Sequence, residues 1–326
     1  MDAHTPPSHH SEADQPAVPR SRALVLGGGG STGNAWLIGV LAGLHEGGLD
    51  PRAADLVIGT SAGSTAAAQL GGAAPAALYA DILAAEATAP QHLPRRPPHT
   101  QPVGPSPVNR IQRVIDAAGS LAEMRVLMGA AARDLDTDIN TNINTDAGSS
   151  WQSAWHDTVA SRLPSQEWPA GRVWLTAVDA NTGEPVVFDR DSGVSLTDAV
   201  AASCSSGRPY RIGDSAYIDG GFRTNAENAD LAAGYERVLV LSPFGGKALT
   251  PVEWGTHLSS QADHLRAGGS RVEIIAPAAT DEHLFGENAM RGWLRPEAAR
   301  LGYAQGVAHA EVLAEFWGIT DSGGSE

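Results

Sequence analysis

Asp55-Leu56-Val57-Ile58-Gly59-Thr60-Ser61-Ala62-Gly63 is the stretch that decides how this chain reads. Its short run of branched apolar side chains predicts a buried strand, and the two glycines bracket a tight turn. The alanine-rich run that follows, to about Leu70, predicts a helix. G-x-S-x-G between a strand and a helix is the pattern of a nucleophile elbow. Side chains at Gly59 and Gly63 would collide with neighbouring elements in so sharp a bend. The serine is then pushed outward at the positive end of a helix, where a developing alkoxide is favoured. The plainer reading is a glycine-rich turn with a capping serine.

N-terminal to this stretch, Ala23-Leu24-Val25-Leu26 is a second apolar run, followed by Gly27-Gly28-Gly29-Gly30-Ser31-Thr32-Gly33. From Gly33 to Gly47 the residues Trp36, Leu37, Val40, Leu41 and Leu44 share one helical face, and Gly47-Gly48 marks its stop. Strand, helix, strand, helix in succession predicts an α/β chain with a central, mostly parallel sheet and helices on both faces.

The glycine loop has two readings. Gly28, Gly29 and Gly30 can aim backbone N–H groups at one oxygen anion, as an oxyanion hole. Gly28-x-Gly30-x-x-Gly33 also satisfies the dinucleotide pattern of a nucleotide-binding oxidoreductase. That second reading needs an acid at the end of the second strand, where this chain has Gly59-Thr60 and the elbow. The oxyanion reading is therefore preferred. A serine also needs a base. Tyr217-Ile218-Asp219-Gly220-Gly221 supplies a carboxylate at a predicted strand end, although Asp-Gly-Gly alone usually marks a β-turn.

Further strands are predicted over 173–178, 185–188, 238–241 and 272–275, with helices over 196–203 and 296–316. Prolines crowd 90–107, Ile111 to Arg133 reads as helix, and Asp134 to Ser150 is polar and repetitive. The whole of 90–150 is expected to be a mobile, lid-like insertion. Residues 1–21, rich in Pro, His and Ser, read as a disordered tail, and 321–326 as a frayed end. One domain is expected over 22–320.

Acidic residues outnumber Lys and Arg by 37 to 22, a net charge of -15, and 42% of residues are hydrophobic. That is enough apolar material for a sizeable core, and it excludes a globally disordered chain. No basic patch points to nucleic acid. No apolar run approaches a membrane span and no secretory signal is visible, so a cytoplasmic protein is expected. Contact with a membrane surface would be transient and apolar, because a polybasic patch is missing.

Cys204 is the single cysteine, which rules out an intrachain disulfide and a Cys-based zinc site; it reads as a small buried apolar residue. Asp134, Asp136, Asp138 and Asn140 resemble the start of a calcium loop, but Ile139 and Thr145 stand where glycine and glutamate are needed. No histidine spacing fits a metal, and no metal or organic cofactor is expected. His257, His264, His283 and His309 follow Asp219, which leaves a Ser–Asp–His triad open. Against it, the elbow arrives after only two strands. Trp36, Trp151, Trp155 and Trp168 read either as an acyl groove or as ordinary core and rim.

Taken together, Gly28-Gly29-Gly30-x-x-Gly33, Gly59-x-Ser61-x-Gly63 and Asp219-Gly220-Gly221 resemble, in order, the three motifs of bacterial patatin-like phospholipases. The Ala202-Ser203 block and the segment 225–240 share the resemblance, which covers roughly 22–90 and 170–245. It implies a three-layer α/β/α fold and a Ser–Asp dyad without histidine. Asp219 would take the Ser61 proton directly, the glycine loop would hold the oxyanion, and an acyl-enzyme would form. The implied substrate is a lipid or other acyl ester. Two departures stand out. Many family members carry Arg or Lys where Thr32 sits, so a positive charge beside the loop is missing, and many carry Pro near Gly207. Ser31 and Asn34 beside the glycines point to a more polar, non-phospholipid substrate, for hydrolysis or acyl transfer on the same fold.

Overall fold

The computed structural model describes residues 21–88, 107–142 and 147–318. Residues 1–20, the proline-rich stretch 89–106 and the end 319–326 lie outside the described residues, and so do the expectations that fell on them.

The chain opens with β1 (Arg22–Leu26), α1 (Gly30–Glu46), β2 (Leu56–Gly59) and α2 (Ala62–Gly72). Next come four helices, α3 (Pro75–Thr88), α4 (Pro107–Ala117), α5 (Leu121–Asn142) and α6 (Ala147–Ala160). β3 (Val173–Asp179) and β4 (Pro185–Phe188) lead into α7 (Leu196–Ser203), and then β5 (Tyr210–Ile212) and β6 (Ser215–Asp219). The last elements are β7 (Arg237–Leu241), α8 (Leu258–Ala267), β8 (Arg271–Ile275) and α9 (Arg295–Trp317).

The sheet order is β5-β6-β3-β2-β1-β7-β8, with β4 paired to β3 off that path. β1 lies inside the sheet, parallel to β2 and β7, with Val25 opposite both Ile58 and Val240. The antiparallel pairs are confined to the β3–β4–β6–β5 end. Side chains alternate across a strand. On β1, Leu24 and Leu26 join one core with α1, α2, α7 and α9, while Ala23 and Val25 join a second core with Leu258, Ala262 and Leu265 of α8. This is the expected α/β/α layering around a mostly parallel sheet.

α1 is buried from Thr32 to Leu44, so it shows no polar face to solvent. It lies against α9 with its backbone in contact. A Cβ on Gly39 would sit 2.1 Å from the Ala299 carbonyl oxygen, and one on Gly302 would sit 2.2 Å from the Trp36 carbonyl oxygen. Gly43 and Gly306 repeat the arrangement one turn along. Only glycine permits so close a seam.

The region expected to be a polar loop is different. Residues 134–142 continue α5, and Ala147–Ala160 is helical. The reason is packing: Met128 and Ala132 of α5 are buried against Val178 and Ala180 of the β3 segment and Ala216 and Ile218 of β6. Burying those faces stabilises the helix that Asp136 then extends, where its carboxylate receives Arg208 Nε at 2.8 Å. Asp136 is therefore an ion-pair partner. Among the described residues, no helix is long and apolar enough to cross a membrane, and no three His, Cys, Asp or Glu side chains group as metal ligands.

Candidate active site

Ser61 ends the turn after β2 with φ 53° and ψ -113°, a backbone conformation disfavoured for a side chain. Among the described residues, Asn228 is the only other non-glycine with positive φ. The bend holds because α2 passes very close to β1. A Cβ on Gly63 would lie 1.9 Å from the Leu26 carbonyl oxygen, so this position requires glycine. The Ser61 N–H donates to Ser203 Oγ at 3.0 Å, which ties the elbow to the end of α7.

Asp219 closes β6 and caps the short turn after it; its Oδ1 accepts the Gly221 N–H at 2.8 Å. Its own N–H donates to the Ser205 carbonyl at 2.9 Å. Gly220 lies against β3, where a Cβ would sit 2.1 Å from Thr176 Oγ1. The carboxylate is buried and lines the same cavity as Ser61. Burial pushes the Asp219 carboxyl up to about 6, against the opposing pull of the Gly221 N–H and the Ser61 hydroxyl. Residues 61 and 219, far apart in the chain, thus face one cavity.

Behind them lies a buried polar bracket. Asn228 Nδ2 donates to Thr60 Oγ1 at 3.0 Å and to the Gly220 carbonyl at 2.9 Å, gripping the neighbours of Ser61 and Asp219 together. Thr60 and Thr176 hydroxyls meet at 2.9 Å. Asn228 itself is held in its left-handed conformation by its N–H donating to Asn225 Oδ1 at 2.6 Å. Sequence reading passed over Asn228; the only signal was an asparagine in the polar run after Asp-Gly-Gly, a residue type that tolerates this conformation.

The glycine loop borders the nucleophile: a Cβ on Gly28 would be 3.5 Å from Ser61 Cβ. Gly28 donates its N–H to the Ala226 carbonyl at 2.8 Å, so that donor is occupied. The N–H groups of Gly29 and Gly30 have no acceptor among the described residues, and neither has that of Ala62, next to the nucleophile. Ala62 is a donor that the sequence reading missed, although an elbow places one there. Gly33 sits in the first turn of α1, its N–H donating to the Gly29 carbonyl at 3.0 Å.

A cavity of about 440 Å³ joins these parts. One wall is apolar, with Ile111 and Ile115 of α4, Met124 and Met128 of α5, and Trp155. Of the four tryptophans considered, Trp155 alone is in that lining; Trp36 is core, and Trp168 donates to the Val194 carbonyl at 2.9 Å. None of the four candidate histidines lines it. His257 Nε2 donates to the Thr250 carbonyl at 2.7 Å, and His283 faces Glu297.

Cys204 lines the cavity too, its thiol donating to the Ser61 carbonyl at 3.1 Å and pushed up to about 11 by burial and by Asp219. It stays protonated and unreactive, as a structural residue does. The charge thought missing beside Thr32 arrives from elsewhere. Arg295, at the start of α9, donates to the Ser31 carbonyl at 2.7 Å and to Asn34 Oδ1 at 3.1 Å. Ser31 and Asn34 both line the cavity and both accept from Arg295.

A family profile described as "Patatin-like phospholipase" matches residues 24–232. Among solved structures, VipD from Legionella pneumophila aligns with TM-score 0.41 and 15% identity, over 90% of this chain and 67% of that one. A type III effector protein, ExoU, aligns with TM-score 0.35 and 13% identity, over 90% of this chain and 53% of that one. ExoU of Pseudomonas aeruginosa in complex with SpcU gives TM-score 0.32 and 17% identity, over 89% and 53%. The chain therefore spans about half the length of ExoU. No curated protein gives a significant match.

Proposed function

Since the chain belongs to the patatin-like phospholipase family, a family of lipid acyl hydrolases, we propose that it cleaves carboxylic esters of lipids with Ser61 as nucleophile and Asp219 as base. The observation that carries this reading is that Ser61 and the buried Asp219 carboxylate line one cavity, with the Ser61 hydroxyl near enough to pull the carboxyl downward against the effect of burial. In the proposed reaction Ser61 Oγ attacks the ester carbonyl and passes its proton to Asp219. The N–H groups of Gly29, Gly30 and Ala62 receive the oxyanion, in place of Gly28, whose donor is bonded to Ala226. The leaving alcohol takes the proton from Asp219, and an acyl-Ser61 ester remains. Water then gives a proton to Asp219 and attacks that ester, and Ser61 Oγ takes the proton back from Asp219 as the fatty acid leaves. A base pushed up to about 6 serves this chemistry, being ionised at neutral pH yet more basic than an exposed carboxylate.

The acyl chain lies along the wall of Met124, Met128 and Trp155 in this reading. Leu249 and Met290, exposed at 47% and 73%, also line the cavity and offer apolar contact to a lipid surface. A fluorophosphonate probe is expected to label wild-type protein at Ser61 and to leave Ser61→Ala unlabelled. Labelling that persists in Ser61→Ala, or hydrolysis unchanged in Asp219→Asn, overturns the assignment.

A further inference from the structure

We propose that Arg22, Arg237 and Arg271 form a binding site for a free phosphate-class oxyanion, at the end of the sheet opposite the candidate active site. The site stands whatever the role of Ser61.

The three arginines open three neighbouring parallel strands. Arg22 of β1 is in register with Arg237 of β7, and Arg237 with Arg271 of β8. Neighbouring strands lie about 4.8 Å apart, so the three side chains leave the sheet side by side. Alternation puts them on the face of Leu24, Leu239 and Ile275, which belong to the core packed on α1 and α9. β1 is five residues long, and its far end runs into the glycine loop. None of the three arginines lines the active-site cavity.

Like charges set opposite one another on adjacent strands are destabilising. Compensation here is slight. Arg22 and Arg271 make no ion pair among the described residues, and Arg237 pairs at 3.0 Å with Glu236, whose side chain is 68% exposed. The cluster sits against the last turn of α9. Arg271 lies over the Phe316 ring, 5.2 Å from its centroid, and a Cβ on Gly318 would be 3.5 Å from Arg237 Cζ.

Donors in this corner also lack acceptors. Among the described residues, four buried side-chain polar atoms have no hydrogen-bond partner, and three of them are Arg22 Nε, Arg237 Nε and Trp317 Nε1. Buried donors are almost always matched. A plainer reading is that the arginines complement the negative end of the α9 dipole. That accounts for charge but not for donors. The Ala314 and Glu315 carbonyls accept the Gly318 N–H, and among the described residues none of the three arginines donates to a carbonyl of α9. A tetrahedral oxyanion supplies both missing things, negative charge and several acceptors whose spacing matches arginine forks. Bound there, it ties the first residues of β1, β7 and β8 to the end of α9, the helix whose other end clasps Ser31 and Asn34 through Arg295. An anion that binds the folded chain alone stabilises it by mass action.

The test follows thermal unfolding of the full chain at neutral pH in sodium phosphate, against sodium chloride of equal ionic strength, with calorimetric titration of inorganic phosphate. A saturable Tm rise of several degrees is expected in phosphate only. Arg22→Gln and Arg237→Gln should each weaken phosphate binding at least tenfold. In chloride they should unfold at or above the wild-type Tm, because like-charge repulsion is relieved. Arg271 is exposed, so Arg271→Gln reports even if the inner variants fail to fold. Arg162→Gln, in the active-site cavity, should leave the affinity unchanged. No phosphate-specific rise, or a rise that survives all three Gln variants, overturns the site. Loss of binding in Arg162→Gln alone does so too, by moving the phosphate to the cavity. A lower Tm in chloride for all three Gln variants would mean that the arginines are already satisfied in the free protein, which also overturns it. Glucose 6-phosphate and phosphatidate vesicles tell the sources apart. Binding of either soluble ligand supports the site; vesicle binding that needs the arginines, matched by neither soluble ligand, overturns it.

Discussion

Asp219 is at once a group with a raised pKa and the proposed base, and these two properties pull in opposite directions with pH. In the unfolded chain its carboxyl titrates near 3.8; in the fold, near 6. Between these values the folded state keeps a proton that the unfolded state has lost. Stability from this residue is therefore complete below about pH 4 and declines as pH rises through about 6. Glu227, fully buried behind the loop with Ser242 Oγ donating to it at 2.6 Å, is also pushed up by burial and acts in the same sense. Activity moves the other way, because only the carboxylate accepts the Ser61 proton. We expect kcat/KM to rise with pH to a half-maximum near 6, while Tm falls over the same interval. Asp219→Asn is expected to remove the activity and to flatten part of the Tm slope. A rate profile flat from pH 5 to 8 would exclude Asp219 as base. At this scale much was legible: Ser61 and Asp219 stand in short glycine-framed patterns whose chemistry depends on residue type alone. The bond from the Gly28 N–H to the Ala226 carbonyl was not legible in the glycine loop, because Ala226 lies far along the chain. Asn228 escaped for the same reason, since its value comes from contacts with Thr60 and Gly220.

Elements were legible where their pattern is local. The strands of the central sheet and the helix over 196–203 fall where branched runs and spacing predicted them. α5 was cut short in the reading at Arg133, because its second half carries Asp, Thr and Asn, which favour turns in isolation. Contact with β3 and β6 overrides that preference, and no local pattern reports it. The α1–α9 seam is another long-range feature that looked like mere glycine abundance. It yields a sharp expectation. Gly302→Val drives a side chain into the Trp36 carbonyl, so the helices must part, and overpacking of this kind costs about 3 kcal/mol. Thermal unfolding is expected to show a Tm several degrees lower. Gly292→Ala, where an added Cβ meets nothing within 4 Å, serves as the comparison and should be nearly neutral. Equal Tm values for the two variants would refute backbone contact along the seam.

Across the whole molecule, the site draws on β1, β2, β6 and α9, which the sheet order gathers although they are scattered in sequence. Alternation predicted a mostly parallel sheet, yet the antiparallel β3–β4–β6–β5 end that carries Asp219 had no sequence signature beyond short runs. The rim also takes shape only at this scale. Leu249 and Met290 are 41 residues apart in the chain and line one cavity. Replacing both by Ser is expected to slow hydrolysis of vesicle-borne lipid at least fivefold, with little change for a dissolved short-chain ester. Equal slowing of both substrates would argue against surface contact. The α1–α9 seam also bears on how the molecule comes into being. A nascent chain that has left the ribosome as far as residue 290 already holds the serine, the aspartate and the glycine loop. It still lacks the helix that wedges along α1 and the arginine that grips Ser31 and Asn34. The proposed nucleophile and base are thus translated before the segment that packs along α1 and clasps its first turn.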